Sequence, residues 1–132
     1  QSKTIYEIIT LASIIEKEVK TLKDKKIVSG ILQNRLKIGM PLQVDASIVY
    51  ITENTKTRTT IDETKIDSLY NTYKYKGLPP GPISNPGIDS IMAAIYPTKT
   101  NYLYYLSSSK NGATIFSKTF EEHKIAKQNN LK

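Results

Sequence analysis

The sequence has 132 residues, 39% of them apolar and 23% charged, which suits one compact soluble domain and excludes a disordered chain. It has no cysteine and a single histidine, His123, which excludes disulfides, thiolate nucleophiles and metal sites built from several imidazoles. No apolar run approaches the roughly 20 residues that span a bilayer, and the N-terminus lacks a signal-peptide pattern.

The net charge is +7, from 19 basic and 12 acidic residues. Such a charge fits either an anionic partner or a composition that is simply rich in lysine. The only dense basic cluster consists of Lys23, Lys25 and Lys26, and no basic recognition helix or aromatic nucleic-acid motif is present. Composition therefore favours a protein that does not bind nucleic acid.

Two helices are predicted at the start of the chain. Thr4 and Glu7 have the spacing of a capping box, and the apolar residues that follow recur at helical intervals. Thr21 and Asp24 repeat the signal for a second helix, which Gly39 should end. The short connection predicts that the two helices form an antiparallel pair.

The middle of the chain is less regular. Residues 42–51 are apolar but too few to separate helix from strand, and the polar, Thr-rich residues 52–67 predict a loop with some strand or a short helix. Residues 76–87 are rich in Pro and Gly, which predicts a rigid irregular loop. Asn85 is the expected N-cap of a third helix over residues 87–96.

The last third of the chain predicts a β-hairpin and a final helix. Residues 102–107 and 114–117 alternate like strands on either side of a turn at Asn111-Gly112. Thr119 and Glu122 form a third capping-box pattern and predict a short helix. The fold class is therefore α+β: an N-terminal antiparallel helix pair, further short helices, and a C-terminal β-hairpin followed by a short helix.

One acidic residue does not fit the packing pattern of the first helix. On a wheel of roughly 100° per residue, Glu16 lies inside the apolar stripe. Burial of a carboxyl group raises its pKa, and a protonated carboxyl is what general-acid catalysis requires. The alternative is a structural glutamate satisfied by Arg35 or by backbone donors. Glu18 lies about 200° away on the same wheel and is expected to be solvated or ion-paired.

The aromatic residues give a weaker signal. Nine of the eleven aromatic side chains are tyrosines, whose flat apolar face and hydroxyl suit sugar rings. Tyr102, Tyr104 and Tyr105 are interpreted as ordinary hairpin packing. Tyr73 and Tyr75, which flank a polar loop, are better candidates for binding.

Seven ordered segments, spanning about residues 10–125, together resemble the YceG-like family of endolytic murein transglycosylases. The segments are Leu11-Ala-Ser-Ile-Ile-Glu-Lys-Glu18, Asn34-Arg-Leu-Lys-Ile-Gly-Met40 with Leu42-Gln-Val-Asp45, Tyr70-Asn-Thr-Tyr73, Gly77-Leu-Pro-Pro-Gly81, Asn85-Pro-Gly87, Pro97-Thr-Lys-Thr100 with Tyr102-Leu-Tyr104, and Phe116 to His123.

The resemblance implies a bacterial lyase that cuts peptidoglycan strands internally without a cofactor or metal. Residues 1–132 would be the single catalytic domain of a longer protein, held at the cytoplasmic membrane by a segment absent from this sequence and facing the periplasm or cell wall. Peptidoglycan strands would be its substrate, and cell-wall synthesis enzymes are further candidate partners. A non-catalytic glycan-binding module of the cell wall is the alternative.

The resemblance also implies roles for individual residues. It makes Glu16 the catalytic acid/base and carries substrate binding onto Gln43, Asp45, Asn71 and Tyr73. Amide and carboxylate side chains beside irregular backbone are suited to bonding sugar hydroxyls and N-acetyl groups. The Pro-rich loop over residues 77–86 is either a groove wall or a plain connector.

The predicted reaction is not hydrolysis. Glycosidases that add water normally use two carboxylates, and the first helix offers only Glu16 in a functional position. One carboxyl group is enough if the C6 hydroxyl of N-acetylmuramic acid attacks its own C1, which leaves a 1,6-anhydro end. Asp45 is the exception to consider, since the fold could bring it to Glu16 as a second carboxylate.

Overall fold

The computed structural model describes residues 3–53 and 59–131. Within these ranges the chain forms five α-helices, one 3-10 helix and a two-stranded antiparallel sheet. The α-helices and strands are α1 (Ile5–Glu18), α2 (Leu22–Ile38), α3 (Asp45–Thr52), α4 (Ile88–Ile95), β1 (Tyr104–Ser107), β2 (Thr114–Ser117) and α5 (Phe120–Asn130). This order confirms the predicted α+β class.

The ends of α1 and α2 are set by local chemistry, as predicted. The Thr4 hydroxyl accepts from the Glu7 N–H at 3.1 Å, and the Glu7 carboxylate accepts from the Thr4 N–H at 2.8 Å. The Thr21 hydroxyl accepts from the N–H of Asp24 at the start of α2. Gly39, with a φ of 74°, ends α2 in the left-handed region that glycine tolerates best.

The core lies between three helices rather than two. α1 and α2 touch each other, but both pack more extensively on α4 than on one another. Ala93 and Ala94 of α4 are buried, and their small side chains allow the helices to approach closely. The predicted N-terminal pair is therefore part of a three-helix unit. Its fully buried members include Leu11, Ala12, Ile14, Ile15, Val28, Leu32 and Ala93.

The ambiguous apolar segment is extended at first and then helical. Gln43 and Val44 run along Thr72, whose carbonyl and hydroxyl oxygens accept from the N–H groups of Gln43 and Val44 at 3.1 and 3.0 Å. The helix α3 starts at Asp45 directly afterwards. In the predicted loop over residues 52–67, Glu63–Lys65 form the 3-10 helix, while residues 54–58 lie outside the described residues.

The predicted cap of the third helix is wrong. The N-cap of α4 is Gly87, not Asn85, and it makes no side-chain cap bond of its own. Instead a carboxylate oxygen of Glu16 on α1 accepts from the Gly87 N–H at 2.9 Å. A side chain from a distant helix therefore bonds the N–H at the start of α4, where the sequence predicted a cap from the neighbouring Asn85.

The hairpin and α5 complete the domain at the end of α1. β1 and β2 pair in the register Tyr104 with Ser117 and Leu106 with Ile115. The Thr119 hydroxyl accepts from the N–H of Glu122 and starts α5, which packs on both strands. Among the described residues, no helix combines the length and the apolar character that crossing a bilayer requires.

Gly30 provides a test of this packing. A Cβ at position 30 would lie 2.2 Å from the backbone oxygen of Thr98, in a segment that the Thr98 N–H ties to the Lys26 carbonyl. Alanine is the better helix former by about 1 kcal/mol. We nevertheless expect Gly30→Ala to lower the free energy of unfolding by about 1–3 kcal/mol, because the backbone must move apart.

Urea denaturation measures this change. Lys23→Ala, at an exposed position of the same helix, is the matched control and should stay within about 0.5 kcal/mol of the parent. A Gly30→Ala variant as stable as the parent would contradict the close approach of α2 to the segment at Thr98.

Candidate active site

A cleft of about 620 Å³ opens between the end of α1, the start of α3, the strand β1 and the helix α5. Its wall is mixed, with carboxylates, cations and aromatic rings on neighbouring elements. The polar and aromatic residues that line it are Lys17, Glu18, Arg35, Gln43, Asp45, Thr59, Tyr73, Tyr104, Tyr105, Ser107, Phe120, His123 and Lys127.

Glu18 is the acid of this cleft. It is the last residue of α1 and is partly buried. Burial raises the pKa of its carboxyl group to about 7, and the nearby negative charge of Asp45 acts in the same direction. Hydrogen bonds from the Tyr105 hydroxyl and the Ala46 N–H, together with the charge of Arg35, oppose this shift without cancelling it. Glu18 can therefore hold a proton near neutral pH.

Two residues from distant elements fix the surroundings of Glu18. Tyr105, on β1, donates its hydroxyl hydrogen to the Glu18 carboxylate. Arg35, on α2, is 5% exposed. Its Nε donates to the Leu103 carbonyl at 2.9 Å, and its Nη1 donates to the Leu42 carbonyl. Arg35 thus joins the hairpin to the segment that leads into α3, and Glu18 lies between them.

Asp45 faces the same cleft and is itself engaged. The hydroxyl of Tyr73 donates to the Asp45 carboxylate. Burial and this hydrogen bond both raise the pKa of Tyr73, so Tyr73 remains the donor. Beside them, Gln43 has a φ of 53°, in the left-handed region that non-glycine residues rarely adopt. Strained backbone of this kind is concentrated at functional sites.

Glu16 lies in a different environment from the one predicted. Its carboxylate accepts from the Gly87 N–H at 2.9 Å and from the Ser90 hydroxyl at 2.8 Å, and it lies 3.6 Å from the ammonium of Lys25. The pKa of Glu16 is lowered, first by the Gly87 bond and then by Ser90, so the predicted raised pKa is wrong. Its ion-pair partner is Lys25 rather than Arg35, and it is not among the residues that line the cleft.

The expectation that Glu18 is solvated or ion-paired is also wrong. The wheel is correct that Glu18 faces away from the stripe on α1, which packs on α2 and α4. At the final turn of α1, however, that opposite face packs against α3 and the hairpin, which leaves Glu18 only partly exposed. Periodicity within one helix carries no information about elements 27 to 87 residues away. Glu18, Arg35 and Tyr105 are therefore functional candidates that the sequence pattern did not identify.

Of the four predicted binding residues, three line the cleft and one does not. Gln43, Asp45 and Tyr73 face the same space as Glu18, so their binding roles remain predictions with suitable geometry. Asn71 is fully buried; its amide group donates to the carbonyls of Thr64 and Ile66. Its side-chain oxygen accepts from backbone N–H groups of the following turn. The hydrogen-bonding groups of Asn71 therefore hold the loop together and it does not line the cleft, so its binding role stays a prediction that this geometry does not support.

The Pro-rich loop borders a second, smaller depression. Leu78, Pro79 and Pro80 line a space of about 460 Å³ together with Tyr6, whose hydroxyl donates to the Pro80 carbonyl at 2.7 Å. The Pro-rich loop therefore forms a wall of this second depression and not of the cleft that contains Glu18. Within residues 3–53 and 59–131, no group of three or more His, Cys, Asp or Glu side chains could hold a metal ion.

Comparison with known proteins agrees with the segments identified above. Two relatives bear the name endolytic murein transglycosylase. The one from Bacillus subtilis (strain 168) is 44% identical over 125 residues, which cover 95% of this chain and 34% of the relative. The one from Streptococcus pneumoniae serotype 2 (strain D39) is 36% identical, over 91% of this chain and 23% of the relative.

A crystal structure of a yceG-like protein from Listeria monocytogenes has the same fold. It matches with a TM-score of 0.87 at 46% sequence identity, over 92% of this chain and 39% of that one. The chain thus spans about a third or less of the length of the curated relatives it matches. Residues 1–129 match the model of the YceG-like family, and the chain belongs to that family.

Proposed function

We propose that this chain is the catalytic domain of a lytic transglycosylase that cuts peptidoglycan strands between N-acetylmuramic acid and N-acetylglucosamine. The name of its relatives, endolytic murein transglycosylase, supports the reaction class. The observation that carries the assignment to this domain is the carboxyl group of Glu18, with a pKa of about 7, in a cleft of about 620 Å³.

Glu18 acts as the general acid in the first half of the reaction. Its protonated carboxyl donates to the glycosidic oxygen while the bond from that oxygen to C1 of the muramic acid breaks. The departing N-acetylglucosamine keeps this proton as a hydroxyl hydrogen. The positive charge that develops at C1 is stabilised by the carboxylate that Glu18 has become and by the neighbouring Asp45.

The second half needs no water. The C6 hydroxyl oxygen of the same muramic acid bonds to C1, and its proton passes to the Glu18 carboxylate, which restores the starting acid. One bond to oxygen breaks and one forms at C1, so the products together have the composition of the substrate. The attacking oxygen already belongs to the substrate, and an intramolecular attack has a large proximity advantage over a free nucleophile.

Asp45 and Tyr105 shift the pKa of Glu18 in opposite directions. The Asp45 charge favours the protonated form of Glu18, whereas the hydrogen bond from Tyr105 favours the ionised form. The carboxyl group therefore titrates near neutral pH, where it can both give and take back a proton. Tyr73 holds the Asp45 carboxylate in place through its hydroxyl.

The proposed substrate sets the location. Peptidoglycan lies outside the cytoplasmic membrane, so the domain would face the periplasm or cell wall, held to the membrane by a segment outside this sequence. Enzymes that synthesise the strands are the protein partners expected of an enzyme acting on nascent glycan. The non-catalytic alternative, a glycan-binding module, predicts binding without turnover.

The first prediction separates the two acids of α1. Glu18→Gln cannot carry the proton and should lower the rate of strand cleavage by roughly 10²–10⁴-fold, the usual contribution of a general acid. Glu16→Gln is the matched control: an amide oxygen can still accept from Gly87 and Ser90, so this variant should lose stability through the unpaired Lys25 but keep most of its activity.

Release of soluble muropeptides from purified peptidoglycan measures the rate, and circular dichroism checks the fold of both variants. The opposite pattern, an inactive Glu16→Gln and an active Glu18→Gln, would return the catalytic role to Glu16.

The second prediction concerns pH. Glu18 must be protonated to act, so kcat/KM should fall as the pH rises through about 7. Asp45→Asn removes a like charge and lowers the pKa of Glu18, so the fall should begin at lower pH. Tyr105→Phe removes a donor that favours the carboxylate, so the fall should begin at higher pH. Shifts of both variants in the same direction would show that Glu18 is not the titrating group.

The third prediction concerns the product. Mass spectrometry of a digest should show muramic acid ends that lack one water relative to reducing ends, because the C6 oxygen closes on C1. Reducing ends would instead mean that Asp45, which shares the cleft with Glu18, acts as a second carboxylate in hydrolysis.

A further inference from the structure

The α5 side of the cleft is lined by three aromatic rings from two elements. The ring of Tyr104 on β1 stacks on the imidazole of His123 at 5.0 Å and 24°, and it lies 5.9 Å from the ring of Phe120. The guanidinium of Arg35 lies over the Tyr104 ring, 5.5 Å from its centre. The proposed chemistry at Glu18 uses none of these rings.

Phe120 leaves a large apolar surface at the edge of this group. It is the first residue of α5 and keeps 50% of its surface exposed beside the cleft. Its ring centroid lies 5.9 Å from that of Tyr104 and 5.5 Å from the ammonium nitrogen of Lys124. A rigid apolar face at the rim of a polar cleft suits the apolar face of a sugar ring, whose hydroxyls then point to the polar walls.

The positive charge on this side comes from Lys127 rather than from His123. Burial, together with the charges of Lys127 and Arg35, lowers the pKa of His123 to about 4, so the imidazole is neutral at physiological pH. The His123 Nδ1 is buried and has no hydrogen-bond partner among the described residues. Lys127 is exposed one turn further along α5 and lines the cleft, where its ammonium group can meet an anion.

We propose that the α5 side of the cleft is a subsite for a peptide-bearing sugar of the glycan strand, with the sugar face on Phe120 and a peptide carboxylate on Lys127. This inference rests on the proposed function. The Asp45 carboxylate repels an anion from the other side of the cleft, so the charge distribution also orients the strand. The subsite distinguishes strands that carry peptides from bare glycan.

Binding to soluble glycan oligosaccharides, measured by calorimetry on the intact protein carrying Glu18→Gln to prevent turnover, tests this subsite. The peptide-bearing form is compared with an N-acetylglucosamine oligosaccharide of the same length, which carries neither the peptides nor the lactyl carboxylate that an amidase would expose. Phe120→Ala should weaken both about tenfold, equivalent to about 1.4 kcal/mol. Lys127→Gln should weaken only the peptide-bearing form, by about two- to fivefold, as expected for an exposed ion pair.

Two control variants on neighbouring positions should bind like the parent. Ile125→Ala removes an exposed apolar side chain of α5 that does not line the cleft, and Lys118→Gln removes an exposed charge next to the helix start. The subsite is overturned if Phe120→Ala binds as well as Ile125→Ala, or if Lys127→Gln weakens the peptide-bearing and bare forms equally.

Turnover by the parent protein separates this proposal from the proposed function. If the parent releases anhydro products and the Phe120 and Lys127 variants bind normally, the subsite alone is wrong. If the parent releases no products while the binding pattern holds, the subsite stands as a binding site and the proposed catalysis is wrong.

Discussion

The buried guanidinium of Arg35 is the interaction on which the cleft depends. A cation that is 5% exposed is costly unless its donors are used, and Arg35 uses them on the carbonyls of Leu42 and Leu103. These carbonyls belong to the two segments that flank Glu18. The guanidinium of Arg35 also places a positive charge near Glu18, and it lies over the ring of Tyr104. Removing it would break both bonds to these carbonyls and take away the buried cation beside Glu18.

Glu16 and Glu18 make the same kind of backbone contact, yet their pKa values are shifted in opposite directions. Each carboxylate accepts from a backbone N–H at the start of another helix, Glu16 at α4 and Glu18 at α3. The difference lies in the other neighbours. The hydrogen bonds from Gly87 and Ser90, with the charge of Lys25, lower the pKa of Glu16, and these two bonds clamp α1 to α4. Burial and the like charge of Asp45 dominate at Glu18, which keeps its proton to about pH 7. The clamp holds the end of α1 from which Glu18 projects.

The parts of the fold that the sequence predicted are those with local causes. Capping hydroxyls such as Thr4, the left-handed stop at Gly39 and the pairing of two strands in a hairpin depend on residues close together in the chain, and all were confirmed. The errors have long-range causes. A carboxylate 71 residues away replaces Asn85 as the cap of α4, and the acid of the cleft acquires its pKa from elements that a helical wheel does not contain. The resemblance to a family carried the catalytic role onto Glu16, and only three-dimensional packing shows that Glu18, in the same last turn of α1, is the glutamate that lines the cleft.

The hydrogen bond between Tyr105 and Glu18 joins residues 87 positions apart. During synthesis, α1 leaves the ribosome long before the hairpin exists, so Glu18 is then an ordinary exposed carboxylate that is ionised at neutral pH. It becomes a proton donor only when β1 docks beside it and water is excluded. An unfolded, truncated or degraded chain therefore carries the same glutamate without its acidity. The proposed substrate is the wall that keeps the cell intact. The proposed activity therefore arises only when the fold is complete, and it is lost when the chain unfolds.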